Sequence, residues 1–253
     1  MIADPWFYVV AVPVVLINGI SKGAFGLAMG ILGVPVLALV MPIGLAAGVL
    51  LPVLMLMDGM AIWIYRGRWS GPILWRVVPG SLLGIAVGAA TFHLLSEGAI
   101  RLLIGALAVA FTLSYWLRGG APAPATRPPG WVGVVAGAAA GFTSFVAHTG
   151  GLPLSMYLLP QRLEKTVFAA TMVFFFTFAN AVKLGPYAAL GLLGEANLAS
   201  ALLLLPLVPL GVWLGARLHR RLDATQFYRI CYALVLVSGL KLLYDGLAPL
   251  LGW

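Results

Sequence analysis

The chain has 253 residues, of which 62% are hydrophobic and only 9% are charged, and its formal net charge is +8. Soluble domains are typically about 45–50% apolar and about 25% charged, so this composition excludes a water-soluble domain and indicates a protein with lipid as its solvent. The single cysteine, Cys231, excludes an internal disulfide and a thiolate metal site, and the basic residues fit membrane topology better than nucleic-acid binding.

Proline, glycine and charged residues divide the chain into about ten apolar segments, which predicts an all-α polytopic membrane protein. The segments lie at about 5–20, 24–41, 44–65, 72–93 and 98–117, and then at about 131–147, 150–162, 165–183, 197–216 and 225–246. The breaker-rich stretch 118–130 is interpreted as a linker between a first membrane repeat, 1–117, and a second, 131–253. A full crossing needs about 20 helical residues, so the first two segments of each half are expected to be half-helices or re-entrant hairpins.

An internal repeat is the most informative feature of the sequence. Residues 18–35 contain five glycines, and a shift of 118 positions places Gly19 on Gly137 and Pro35 on Pro153. Paired glycine- and proline-broken segments in two halves are typical of the substrate site of a repeat-built transporter, so we expect the two breaks to meet near mid-membrane around the substrate. Small residues four apart also recur after a proline and predict close helix packing in Pro79-x4-Gly84-x3-Gly88 and Pro206-x4-Gly211-x3-Gly215.

Loop charge predicts the topology. If each half crosses the membrane an odd number of times, 12 of the 15 basic residues fall at or near one side, and only Arg101, Lys183 and Lys241 lie toward the other. This favours an inverted repeat in a bacterial-type inner (plasma) membrane, with both termini outside and the linker in the cytoplasm. Aromatic residues near segment ends, including Tyr65 and Tyr187, are expected to be interface anchors.

Lys22 is the sharpest single candidate for a functional residue. A lysine within an apolar, glycine-rich stretch could attract an anion, helped by backbone N–H groups at half-helix N-termini. The alternative is that Lys22 snorkels to the cytoplasmic surface and only sets topology. In the second copy, polar side chains are added by Thr143, Ser144, Thr149 and His148, whose imidazole could donate to an oxyanion or carry a proton.

A carboxylate within a membrane segment is by default a pathway or proton-relay candidate, which applies to Asp58. An acid lining an anion site would repel the substrate, so we expect Asp58 to be peripheral, paired, for instance with Lys22, or protonated during turnover. The predicted substrate-binding residues are Asn18, Ser21, Lys22, Gly23, Gly26, Gly30, Gly33, Thr143, Ser144, His148, Thr149, Gly150 and Gly151. The predicted coupling or pathway residues are Asp58, Thr171, Asn180 and Lys183.

The sequence has no phosphate-loop pattern, no metal-ligand spacing and no catalytic triad, so we expect neither an enzyme nor a bound metal or cofactor. A membrane scaffold is disfavoured because it would not need duplicated polar breaks.

The glycine-rich break at Asn18, its second copy after the proline-rich linker and the Pro-x4-Gly-x3-Gly helices together resemble the sulfite exporter TauE/SafE family, also known as the toluene-sulfonate uptake permease family. The likeness covers essentially the whole chain. It implies transport of small sulfur-containing anions such as sulfite or organosulfonates like sulfoacetate. We expect export by alternating access, with the lipid bilayer and the anion as partners and a homodimer left open. Alternatives are a proton- or sodium-coupled uptake permease for another small organic anion and a passive anion channel.

Overall fold

The computed structural model describes residues 2, 5–27, 30–37, 40–92, 97–117, 125 and 127–247. These residues contain α-helices and one short 3-10 helix, Leu159–Gln161, and no strand is found among them. The α-helices are α1 Pro5–Phe25, α2 Gly30–Leu37, α3 Ile43–Tyr65, α4 Gly71–Thr91, α5 Glu97–Leu117, α6 Gly130–Ala147, α7 Gly151–Leu158, α8 Lys165–Ala189, α9 Glu195–Leu204, α10 Leu207–Arg221 and α11 Ala224–Leu247. Most of the predicted linker, 118–124 and 126, lies outside the described residues.

Several helices agree closely with the predicted segments, because proline, glycine and charge mark their ends. The bounds of α3, α5, α6 and α11 differ by one residue at most. By length and apolar composition, α1, α3, α4, α8 and α11 can each cross a membrane. The predicted segment 197–216 is instead two helices, α9 and α10, bent by 49° and together long enough for a sixth span. Pro206 stands at this bend, since proline cannot continue the backbone hydrogen-bond ladder of a helix.

The structure corrects the expectation that Asn18 to Lys22 interrupt the first span. Helix α1 runs through them without a break for 21 residues and ends at Phe25, where Gly26 has a φ of +70°. The prediction of short segments is therefore wrong for α1, whereas α2 and α7 have eight residues each and reach only about 12 Å.

Glycines in α1 serve helix packing. A Cβ atom added to Gly19 would lie 2.9 Å from Cα of Gly211, and one added to Gly23 would lie 2.2 Å from the carbonyl oxygen of Val212. Residue numbers rise together along both helices, so α1 and α10 run parallel in close contact. The same relationship joins α4 to α6, where added Cβ atoms on Gly80 and Gly84 would strike the carbonyls of Val134 and Ala138. The close packing predicted from the Gly-x3-Gly patterns is confirmed.

Two further helix pairs run antiparallel. Gly98 approaches Gly246, and Gly105 approaches Gly239, which pairs α5 with α11. Helix α3 packs against α8, with Asp58 near the middle of the contact.

The ends of α1 and α3 lie at the same face of the molecule. The hydroxyl of Tyr65, the last residue of α3, donates to the carbonyl of Gly23 at 2.5 Å. Because both helices end there, the 17 residues from 26 to 42 carry the chain back to the start of α3, and α2 is the helix found among the described residues of that stretch.

This face also collects the ends of α10 and the starts of α4, α6, α8 and α11, and we call it the basic face. It holds the charged residues that flank these helix ends, namely Arg66, Arg68, Arg76, Arg127, Arg162, Lys165, Arg217, Arg220, Arg221 and Arg229. Lys241 lies near the far end of α11, at the opposite face.

Candidate functional site

Lys22 and Asp58 form an ion pair between α1 and α3, and each side chain is only 1% exposed. Asn180 of α8 donates a hydrogen bond of 2.6 Å to the second carboxylate oxygen of Asp58. The Lys22 ammonium also lies 5.1 Å from the centre of the Phe176 ring, a cation–π distance. The snorkelling alternative for Lys22 is therefore wrong, and Asp58 is paired, one of the three states expected for it.

Lys183 makes a second polar group one turn further along α8. Its ammonium donates to the carbonyl and the hydroxyl of Ser144, at 3.1 and 3.0 Å, and lies 2.9 Å from Nδ1 of His148. Because a lysine ammonium only donates, Nδ1 accepts, and Nε2 then carries the proton that faces the carbonyl of Ala47 at 3.3 Å. We call Lys22, Asp58, Ser144, His148, Asn180 and Lys183 the polar core.

The polar core has more cationic than anionic side chains. Lys22 is neutralised by Asp58, whereas Lys183 has no carboxylate partner among the described residues. Lys183 is completely buried, and a buried charge is costly unless it is paired. The part of the chain that the structure describes also has no group of three metal-ligating side chains. The arrangement therefore suits a small anion better than a metal ion.

Two further polar atoms lie buried on α1. Oδ1 of Asn18 and the hydroxyl of Ser21 are buried and have no hydrogen-bond partner among the described residues. They lie on the same face of α1 as Lys22, since residues three and four apart are neighbours on a helix. Gly33 of α2 faces Asn18, because a Cβ atom added to it would lie 3.2 Å from the Asn18 amide nitrogen.

The hydroxyls of three threonines, two predicted to bind substrate and one predicted as a coupling or pathway residue, bond to backbone groups instead. Thr143 donates to the carbonyl of Ala139 at 2.8 Å, and Thr149 donates to the carbonyl of Thr143 at 3.3 Å. Thr171 lies nine residues before Asn180, where its hydroxyl accepts from the backbone N–H of Ser70 at 3.0 Å. The structure therefore does not bring Thr171 to the polar core.

The two helix ends at the breaks, Gly26 and His148, lie apart. Gly26, at the first break, packs against the backbone of Ala169 near the start of α8, whereas His148, at the second break, contacts Lys183 near its end. At about 1.5 Å per helical residue, the 14 residues between Ala169 and Lys183 separate the breaks by about 20 Å. Lys22 of the first segment and His148 of the second nevertheless both belong to the polar core, so the expectation that the two segments enclose one site stays a prediction. Helix α2 begins at Gly30, and α7 begins at Gly151. Gly150 lies against the carbonyl of Ala140.

Sequence reasoning missed the role of two tyrosines. Tyr65 donates to the carbonyl of Gly23, and Tyr187 donates to the carbonyl of Phe145 at 2.7 Å, so neither ring is an interface anchor.

The two tyrosine hydrogen bonds reveal the offset between the two halves. Tyr187 stands 122 positions after Tyr65, and Phe145 stands 122 positions after Gly23. The same offset relates Asp58 to Asn180. The shift of 118 placed His148 on Gly30, whereas the offset of 122 places it on Gly26, which also has a positive φ at a helix end. The spacing of 122 residues between Tyr65 and Tyr187 was the sequence signal that could have given the correct repeat shift.

Comparison with known proteins gives one family. The family model described as "Sulfite exporter TauE/SafE" matches residues 11–242, which include the whole polar core. The comparison with curated proteins and the comparison with solved structures each found no match.

Proposed function

Because the chain belongs to the sulfite exporter TauE/SafE family, which is a family of membrane transporters and not of enzymes, we propose that it exports small sulfur-containing anions such as sulfite or an organosulfonate like sulfoacetate. The observation that carries this proposal is the buried ammonium of Lys183, which lies beside the Lys22–Asp58 pair and has no carboxylate partner among the described residues. A mobile anion would supply the missing negative charge. Sulfite and sulfonate oxygens accept hydrogen bonds from the donors found there, namely ammonium, hydroxyl and amide groups.

The halves of the chain support an inverted repeat. Helix α1 pairs with α10, and α6 pairs in the same way with α4, so each half lends a helix to the other. Gly26 packs on Ala169, and His148 faces Ala47, with 122 positions between the members of each equivalent pair. Helices α1 and α6 end at opposite faces, as two copies in opposite orientation would.

Alternating access fits the positions of the two breaks. All six side chains of the polar core are at least 96% buried, as the occluded state of such a cycle would require. Separation of Gly26 from Ala169 would open Lys22 to the basic face, and separation of His148 from Ala47 would open Lys183 to the opposite face. The basic face is assigned to the cytoplasm of a bacterial-type inner membrane by the positive-inside rule. Export of an anion would then be favoured by about 2.3 kcal/mol per charge per 100 mV.

The test is flux of radiolabelled sulfite and sulfoacetate in proteoliposomes that contain the full chain. Wild-type flux is expected to saturate, and Lys183→Met is expected to raise KM by about tenfold or more, as a lost charge-assisted hydrogen bond of about 1.5–3 kcal/mol implies. Lys241→Met is the matched control, because Lys241 is partly exposed at the opposite face. Equal KM values for the two variants would contradict the site, and flux that does not saturate would identify a channel.

A further inference from the structure

A second group of basic side chains lines a cavity at the basic face, away from the polar core. The cavity has a volume of about 450 Å³ and lies between the end of α5, the loop before α8 and the start of α11. Arg162, Lys165 and Arg229 contribute positive charge, and Glu164 contributes the single carboxylate of its lining. The lining therefore has an excess of two positive charges.

Two of these charged groups are already used by the fold. Lys165 donates to two backbone carbonyls at the end of α10, at 2.9 and 2.5 Å. The carboxylate of Glu164 accepts from two backbone N–H groups at the start of α8, at 3.0 and 3.2 Å, and so caps that helix. Burial acts to raise the pKa of Glu164, but hydrogen bonds from Thr166 and Val167 outweigh it and hold the pKa below its ordinary value. Glu164 therefore stays ionised and turned toward its own helix.

Arg162 and Arg229 remain available. Neither guanidinium has an ion pair or a hydrogen bond within the described part of the chain. Arg162 ends the 3-10 helix with a φ of +48°, and Arg229 is exposed in the second turn of α11. Their two planar forks of N–H donors on one cavity match the oxygens of a phosphate group, which guanidinium groups bind in bidentate fashion.

The other wall of the cavity is aromatic. The rings of Tyr115 and Tyr232 stack at 3.6 Å with an angle of 2° between them. The next residue, Trp116, is 52% exposed near the end of α5, where amphipathic rings favour the membrane–water boundary. A ligand that combines a phosphate with an apolar body would match both walls.

We propose that this cavity is a binding site for a phosphate group, held by Arg162 and Arg229. Its position at the lipid boundary favours the phosphate of an anionic phospholipid headgroup, since basic pockets between membrane helices on the cytoplasmic side recognise such headgroups. Inorganic phosphate in solution has the same chemistry and is the other source. The site is independent of the transported substrate.

The test is native mass spectrometry of the full chain released from mixed micelles of phosphatidylglycerol and phosphatidylcholine. Wild-type protein is expected to retain phosphatidylglycerol, and the double variant Arg162→Gln with Arg229→Gln is expected to retain it about tenfold less, which corresponds to about 1.4 kcal/mol. The matched control is Arg220→Gln with Arg221→Gln, which removes the same charge from the same face outside the cavity. The single variant Arg229→Gln, at an exposed position, covers the case in which a change at Arg162 disturbs folding.

A second measurement separates the two phosphate sources. One outcome is that inorganic phosphate alone raises the thermal stability of wild-type protein but not that of Arg229→Gln. That result would support the binding site and identify soluble phosphate, not a lipid headgroup, as the source of the bound phosphate group. If both cavity variants retain phosphatidylglycerol as the control does, and phosphate gives no shift, the proposal is overturned.

Discussion

The ammonium of Lys183 lies 2.9 Å from Nδ1 of His148, so a lysine near the end of one long helix is held by the residue that ends another. His148 occupies a left-handed conformation, with a φ of 54°, and its second ring nitrogen faces the carbonyl of Ala47 in the other half of the chain. One imidazole thus connects α3, α6 and α8 at the point where the proposed outer gate would open.

Replacement of His148 tests this connection. His148→Gly suits the left-handed backbone and removes the imidazole, so the protein should fold while Lys183 loses one acceptor. We expect a rise in KM for sulfite of about tenfold, measured in proteoliposomes. His148→Asn, which also tolerates the left-handed conformation but has a shorter side chain, should behave in the same way. Wild-type KM in both variants would remove His148 from the site.

The Lys22–Asp58 pair should be strongly coupled in stability. Lys22→Met leaves a buried carboxylate without a counter-charge and is expected to cost about 3–5 kcal/mol. Adding Asp58→Asn removes that charge and should recover most of the loss, as measured by unfolding in detergent. The control pair, Lys241→Met with Asp245→Asn, is partly exposed and should show a coupling below about 1 kcal/mol. Additive effects at Lys22 and Asp58 would contradict the ion pair.

The hydroxyls of Tyr65 and Tyr187 should contribute equally to the stability of the fold. Tyr65→Phe and Tyr187→Phe each remove one buried hydrogen bond to a carbonyl, and each is expected to cost about 0.5–1.5 kcal/mol of stability. Tyr244→Phe is the control, because Tyr244 is 58% exposed on α11. Thermal unfolding of the three variants in one detergent measures the difference. A loss at only one of the two tyrosines would argue against equivalent halves.

Glycine at position 23 should be required by the contact with α10. Gly23→Ala would place Cβ 2.2 Å from the carbonyl oxygen of Val212, so the helices must separate, at an expected cost of about 1–3 kcal/mol. Gly59→Ala is the matched control within α3, where an added Cβ meets nothing within 4 Å. It should be neutral or stabilise the helix by about 0.5–1 kcal/mol. Thermal unfolding in the same detergent measures both variants. Equal losses of stability would show that helix propensity, and not the contact with α10, determines the effect of the added methyl group.

The orientation of the chain can be measured by labelling a cysteine in the linker. Ala125→Cys places a thiol at an exposed position there, while the native Cys231 is buried and should give little background. In intact cells we expect an impermeant maleimide to leave position 125 unlabelled until the membrane is permeabilised. Labelling from outside would reverse the proposed topology.

Much of the helical layout follows from the sequence because lipid imposes simple rules. Long apolar runs that end at charge or proline fixed the bounds of α3, α5 and α11 to within a residue. The pairing of Asp58 with Lys22 was one of the states anticipated, since an isolated carboxylate in lipid is costly.

The position of the first break and the exact repeat shift could not be predicted, because glycine serves two purposes in this chain. A glycine allows both a positive φ and close helix contact, and the sequence does not separate Gly26, which ends α1, from Gly19 and Gly23, which pack against α10. The break was therefore expected too early in the chain. The error of four residues in the repeat shift has the same origin, since glycine spacing follows the packing partner as well as the helix end.

The exchange of helices between the two halves has a consequence for biogenesis. Helix α1 carries Lys22 and a glycine-lined face that packs against α10, about 190 residues later in the chain. About 10–40 s separate the two at synthesis rates of about 5–20 residues per second. During that interval the first half holds a lysine and an exposed glycine-lined face of α1 in the membrane. Asp58 has already been synthesised by then and pairs with Lys22. The ion pair therefore protects the nascent first half until its partner helix arrives.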